Sequence, residues 1–307
     1  MVVGLTNSRL RVLDEGLFMS NKPTFLGVGA MKSATTWLSE CLRYHPEVYV
    51  SDVKEIHFFS RNWDKGFEWY CGHFNGVKQQ KVIGEFSNTY VDDVEFCSRI
   101  KEKLGNIKII ICLRDPIDRL VSHYKYNYRV YPEAKNLPMK DIDVRMLEII
   151  SKEFPELLSR GLYTKAVRDY IDYFGRSNVL ITFKEDIDES PKNELKRLYR
   201  FLEVDEAFEP DILNKKVSPG SVPRVFVLEK MRVRIYQIMH SVFPRVIVWV
   251  RRARVGELYR KLNKSNVTIG VTNDGRKWLK SYYKADVLSL EALTEKNLEK
   301  IWGSYPG

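Results

Sequence analysis

Short, almost wholly apolar runs alternate along this chain with longer stretches whose apolar residues recur every three or four positions. The runs at 24–29 (TFLGVG), 81–86, 108–113 (KIIICL) and 178–183 (NVLITF) predict buried strands, the second-last apolar and β-branched enough for the centre of a parallel sheet. Between them, 35–44 has helical spacing, with Trp37, Leu38, Cys41 and Leu42 on one face. Further helices are predicted at 116–128, opened by Pro116, at 163–174, closed by Gly175, and at 191–202, where Ser190 offers an N-cap supported by Glu194. Helices from about 273 to 302 close the chain. Strands alternating with helices predict an α/β fold, a doubly wound parallel sheet flanked by helices.

Residues 1–22 read as a loose N-terminal arm, and 23–307 as a single domain. Within that domain, 210–264 breaks the alternation with Pro210, Pro219, Gly220, Pro223 and Pro244, and is expected to be a helical insertion on the acceptor side. The formal charge is +10, and nearly all of it lies in 224–264, where eleven Lys or Arg face two Glu. Such a block either meets an anionic partner, a polymer or a membrane surface, or is a solvated face. Its aromatic residues permit base stacking, yet nucleic acid is the weakest of these readings. The four cysteines, Cys41, Cys71, Cys97 and Cys112, form no CxxC pair and no metal-ligand spacing, so reduced thiols and no metal are expected. The longest apolar stretch, 242–250, is interrupted by Pro244 and Arg245 and falls short of the roughly 20 residues of a spanning helix. The expectation is a soluble, cytoplasmic protein, at most peripheral to a membrane.

Candidate chemistry begins where the first strand meets the first helix. The loop Gly29, Ala30, Met31, Lys32, Ser33, Ala34, Thr35, Thr36 combines small residues, a cation, hydroxyls and a helix N-terminus, all of which suit a phosphate. It is P-loop-like, but Met31 stands where a Walker A loop has its second glycine. The plain alternative is an ordinary turn with a surface lysine.

A second anion site is suggested after 108–113. Arg114 leaves the strand's C-terminal end, where open α/β sheets bind ligands, and its guanidinium fork suits a phosphate monoester. Ser122 follows eight residues later, about two helical turns on. Singly, Arg114 could pair with Asp115 or Asp118, and Ser122 could be a surface hydroxyl.

A third segment, Lys54-Glu-Ile-His-Phe-Phe, carries a carboxylate and an imidazole that can take a proton from an acceptor. Strand-like alternation predicts Glu55 and His57 on one face, Ile56 and Phe58 on the other. The plain readings are a Glu55 ion pair with Lys54 or Arg43 and a core histidine at position 57.

These segments together resemble the sulfotransferases that use 3′-phosphoadenosine-5′-phosphosulfate (PAPS). GAMKSATTWLSECLRYHPEV is similar to that family's 5′-phosphosulfate loop, with Met31 for a frequent Pro and Ala34 for a frequent Gly. Arg114 and Ser122 match its 3′-phosphate motif. KEIHFF resembles the strip of glycosaminoglycan-type and bacterial carbohydrate sulfotransferases whose Glu is the base. The resemblance thus implies Glu55 as base, His57 as the competing base, and Lys32 as the cation that neutralises the leaving phosphate. Gly66-Phe-Glu-Trp-Tyr also echoes the family. Gly84-Glu-Phe-Ser-Asn-Thr-Tyr resembles a segment that often has Lys at the position of Phe86 and Pro at that of Asn88. The weaker 214–224 segment implies that Lys216 and Arg224 touch the nucleotide.

The resemblance covers 23 to about 224. It implies sulfuryl transfer from PAPS, leaving adenosine 3′,5′-bisphosphate (PAP), to a hydroxyl or amine of a carbohydrate or glycoconjugate. The rival readings are a P-loop-type nucleotide kinase and a non-catalytic protein that binds anionic polymers or membranes through 224–264.

Overall fold

A computed structural model describes residues 21–130, 140–213, 231 and 268–305. In chain order, the first half holds β1 (Phe25–Gly29), α1 (Thr35–Tyr44), β2 (Val48–Val50), α2 (Phe58–Arg61), α3 (Phe67–Cys71), β3 (Val82–Phe86), α4 (Val94–Leu104), β4 (Lys108–Leu113) and α5 (Pro116–Val130). The second half holds α6 (Val144–Glu153), α7 (Glu156–Ser159), α8 (Thr164–Phe174), β5 (Val179–Phe183), α9 (Lys184–Glu189), α10 (Pro191–Leu202), α11 (Asn273–Thr294) and α12 (Leu298–Trp302). The described residues fall into two compact units, one drawn from 1–115, 162–217 and 283–307, the other from 116–161 and 218–282.

The first unit contains the sheet. Its five strands run in the order β2-β3-β1-β4-β5, and every pairing is parallel. The order reverses direction at β1, so β1 and β4 diverge to opposite sides at the kind of switch point where such sheets bind ligands. Every residue of β1 and β3 is buried, as is β4 apart from Lys108, which explains their unbroken apolar runs. Two glycines let the strands accept large rings. A Cβ at Gly27 would lie 1.9 Å from the Phe86 ring, and one at Gly84 would lie 2.4 Å from that of Phe25. The two rings meet edge to face, with centroids 6.0 Å apart. On one face of the sheet, Trp37, Leu38, Cys41 and Leu42 of α1 share a core with Leu195, Leu198, Tyr199 and Leu202 of α10. α8 has no cap of its own. Asp286 serves instead, accepting the Tyr163 and Thr164 amides at 2.7 and 3.1 Å.

The second unit holds α5, α6 and α7. Asp143 caps α6 by accepting the Met146 amide at 2.8 Å, and Ile142 forms a parallel bridge with Val271. Arg119 is fully buried, donating to the Leu157 carbonyl and meeting His123 Nδ1 at 3.2 Å.

The predicted strands and helices lie within a few residues of those observed. β2, three residues long, is too short to show a pattern, and α2, α3, α4, α6, α7 and α9 are not among the predicted helices. One capping expectation is corrected. Ser190 makes no side-chain cap to α10. Glu194 instead accepts from Thr182 Oγ1 at 2.7 Å and from Arg197 at 3.0 Å, tying α10 to β5. Most of the expected arm (1–22) and most of the expected insertion (210–264) lie outside the described residues, as do Lys216 and Arg224.

Candidate active site

The loop from β1 to α1 is shaped by backbone that only certain residues tolerate. Gly29 has φ 145°, and a Cβ there would meet Val91 Cγ1 at 2.7 Å. Lys32 and Ala34 are left-handed, at φ 73° and 67°. The Ala30 amide is anchored to the Cys112 carbonyl of β4 at 2.7 Å. α1 then starts without a side-chain cap, so its first-turn amides supply the partial positive charge of a helix start. Thr35 lies buried in that first turn, and Thr36, half-buried, accepts from Lys54 Nζ at 2.7 Å. Ser33 is 0% exposed and its hydroxyl has no partner. An unsatisfied buried hydroxyl costs about 1–3 kcal/mol, and an anion seated in the loop is the natural way to recover it. The small residues, the two left-handed positions, Lys32 and the orphaned Ser33 hydroxyl make a cradle that fits a phosphosulfate.

Arg114 follows β4 and is half-buried. Its Nη1 donates to the Lys32 carbonyl over a long 3.4 Å. The Arg114 guanidinium thus reaches the backbone of the loop that carries Lys32. The Arg114 backbone is fixed from the other side, its carbonyl accepting the Tyr163 hydroxyl at 2.9 Å. Asp115 is held in turn, its amide by Glu185 at 3.0 Å and its carboxylate by the Tyr305 hydroxyl at 3.0 Å. Ser122 lies half-buried on α5, in the second unit.

Glu55 and His57 come together, but not by alternation. Residues 54–57 form no strand, and Glu55 and His57 are both left-handed, at φ 56° and 52°. What aims them is the end of β3. The Asn88 amide donates to Glu55 Oε1 at 2.7 Å. The Ser87 hydroxyl accepts the His57 backbone N–H at 2.9 Å and donates to Glu85 at 2.8 Å. Thr89 Oγ1 lies 2.9 Å from His57 Nδ1 and 2.8 Å from Ser60 Oγ. His57 Nε2 is left facing Glu55 Oε2 at 3.6 Å, long for a hydrogen bond but close for a charge.

Burial is the largest influence on the Glu55 carboxyl and pushes it up. His57, Lys54 and Lys32 together outweigh it and hold Glu55 below the usual glutamate range. The carboxyl is therefore an ionised acceptor at neutral pH, about one-third exposed (34%) and within electrostatic reach of Lys32. The expected ion-pair partners are otherwise engaged: Lys54 reaches Thr36, and Arg43 holds the Val50 and Ser51 carbonyls at 3.0 and 2.8 Å.

The residues sequence reasoning missed are Glu85, Ser87, Asn88 and Thr89. Their signal was the 84–90 segment that resembles the family, to whose polar residues no role was given. Phe86, in the position where lysine is frequent, is buried beside Gly27 and carries no charge into the site. In the Gly66 segment, Tyr70 is fully buried and stacks on Phe58 at 4.7 Å, while Phe67 and Trp69 are half-buried. Among the described residues, no three His, Cys, Asp or Glu are grouped to hold a metal ion. No described helix is long and apolar enough to cross a membrane.

Comparison with known proteins adds the following. The profile of the sulfotransferase domain matches residues 22–219. The membrane-associated sulfotransferase kil1 of Dictyostelium discoideum is 35% identical over 121 residues, 38% of this chain and 26% of that protein. Mouse heparan sulfate glucosamine 3-O-sulfotransferase 3A1 is 28% identical over 191 residues, 62% of this chain and 48% of that one. The chain therefore spans about a quarter of the first relative and about half of the second. Among solved structures, a sulfotransferase from Alicyclobacillus acidocaldarius superposes with a TM-score of 0.64 at 24% identity, over 92% of this chain and 99% of the other.

Proposed function

This chain belongs to the sulfotransferase domain family, and on that premise we propose that it moves a sulfuryl group from PAPS to a hydroxyl or amine of a carbohydrate or glycoconjugate. The observation that carries the reading is the adjacency of two anion-binding elements, the Lys32 loop and Arg114, with Glu55 within reach of the same lysine. The donor supplies the sulfuryl group and a phosphate leaving group.

The roles of the residues follow from their chemistry. The loop amides, the Ser33 hydroxyl and Lys32 bind the 5′-phosphosulfate end. Arg114 binds the 3′-phosphate end. Lys32 neutralises charge that grows on the leaving oxygen. Glu55 accepts the acceptor's proton at the carboxylate not occupied by Asn88, and His57 stabilises the ionised carboxylate. Most of the rate enhancement then comes from positioning and preorganised electrostatics, as in phosphoryl transfer.

A carbohydrate acceptor is supported by the relatives that act on heparan sulfate glucosamine. The eleven basic residues of 224–264 suit an anionic chain of that kind, drawing it toward the enzyme. Incubation with ³⁵S-labelled PAPS and a panel of heparan sulfate oligosaccharides and neutral glycans tests this. Label is expected on a glycan, with PAP released in equal amount. Labelling of no glycan, together with transfer of phosphate from ATP, would reverse the assignment.

A further inference from the structure

The proposed base does not stand alone: the residue whose side-chain amide holds it lies, through its backbone, beside the start of the donor loop. Asn88 Nδ2 donates to Glu55 Oε1 at 2.7 Å, and this polarity is the sensible one, since a carboxylate can only accept. The Asn88 backbone carbonyl lies 3.0 Å from where a Cβ of Gly29 would stand. Gly29 begins the loop that carries Lys32. Asn88 is thus packed between the acceptor-side carboxylate and the donor-side backbone, one residue beyond Ser87 and one before Thr89, which fix the His57 amide and ring.

We propose that Asn88 is the positioning residue of this site, setting the plane of the Glu55 carboxylate relative to the donor loop. With Oε1 held by Asn88 and Oε2 facing His57 at 3.6 Å, the carboxylate has one rotational setting. Without the amide, the Oε1 side of the carboxylate loses the hydrogen bond that sets its rotation. This inference rests on the reading of Glu55 as base. A charged acceptor that loses a donor is less stable ionised, so its titration moves to higher pH. Replacing the donor by a second carboxylate moves it further in the same direction.

The test uses the full chain labelled with ¹³C at glutamate side-chain carboxyls, the Glu55 resonance being identified by its loss in Glu55→Gln. The Glu55 midpoint is expected to rise in Asn88→Ala and to rise more in Asn88→Asp. PAP affinity should stay within about threefold of wild type in both, which also reports that the loop is folded. Turnover of a heparan sulfate oligosaccharide at pH 7 should fall about 10- to 100-fold in Asn88→Ala, in kcat more than in KM. An unmoved Glu55 midpoint in both variants overturns the role of Asn88. Retained turnover in Glu55→Gln overturns the base reading itself, a result the titration is independent of.

Discussion

Glu85 is the second carboxylate behind the site, and its environment makes a quantitative demand. It is 1% exposed within β3, and its Oε2 accepts the Ser87 hydroxyl at 2.8 Å. Burial, opposed by the hydroxyls of Ser87, Tyr90 and Tyr70 and aided by the nearby charge of Glu55, lifts its carboxyl from the ordinary 4.5 to about 7. The folded chain therefore keeps a proton on Glu85 across a window in which the unfolded chain has lost it. The contribution is full below about pH 4.5 and is lost as pH rises through about 7. At 1.36 kcal/mol for each pH unit, that window corresponds to about 3 kcal/mol. Glu85→Gln keeps the acceptor for Ser87 and removes the titration. Its melting temperature, relative to wild type, is expected to climb by about 6 °C between pH 4.5 and pH 8, taking about 2 °C per kcal/mol for a chain of this size. The absolute offset depends on how the buried amide is satisfied, but the slope does not. Differential scanning fluorimetry across that range reads it directly. A difference between variant and wild type that is constant with pH would refute the argument that Glu85 is buried as a neutral acid.

Other outcomes follow from the same geometry. Glu55→Gln should abolish turnover while PAP still binds, as read by labelled transfer and calorimetry. Because the Glu55 carboxyl lies below the usual range, the acid limb of wild-type kcat/KM that it controls should also lie below that range, with activity present above it and lost as pH falls through it. Gly29→Ala should weaken PAP binding at least about tenfold, since φ 145° and the Val91 contact forbid a Cβ without moving the loop. Phe86→Lys, which restores the family's frequent lysine, should destabilise the protein by more than about 3 kcal/mol in thermal or urea unfolding, because the side chain enters a core position beside Gly27.

The loop between β1 and α1 and the place of Arg114 at the end of β4 were legible because each is local. A glycine-ended strand, a cation and a helix start are consecutive in the chain, and Arg114 immediately follows an unmistakable strand. The pairing of Glu55 with His57 was reached by the wrong route. Alternation implies a strand, whereas both residues adopt left-handed backbone that only their partners explain. Those partners, Asn88 and Ser87, lie 33 and 30 residues further along the chain. No periodicity carries such information, since it depends on β2 and β3 being adjacent, with Val50 beside Gly84. Glu194 illustrates the same point. Its spacing from Ser190 fits a capping box, yet Thr182 and Arg197 compete for the carboxylate once β5 packs beneath α10. Phe86 shows the converse, a departure visible in the sequence whose meaning became clear only with Gly27 beneath its ring.

The central claim is that the Lys32 loop and Arg114 grip one nucleotide that carries phosphate at both ends. Calorimetric titration of the full chain with PAP, with adenosine 5′-phosphate and with ATP tests it most directly. PAP should bind at one site at least about tenfold more tightly than either competitor, and Lys32→Ala and Arg114→Ala should each weaken PAP by about tenfold or more. Equal affinity for adenosine 5′-phosphate and PAP, or PAP binding indifferent to Arg114→Ala, would contradict it.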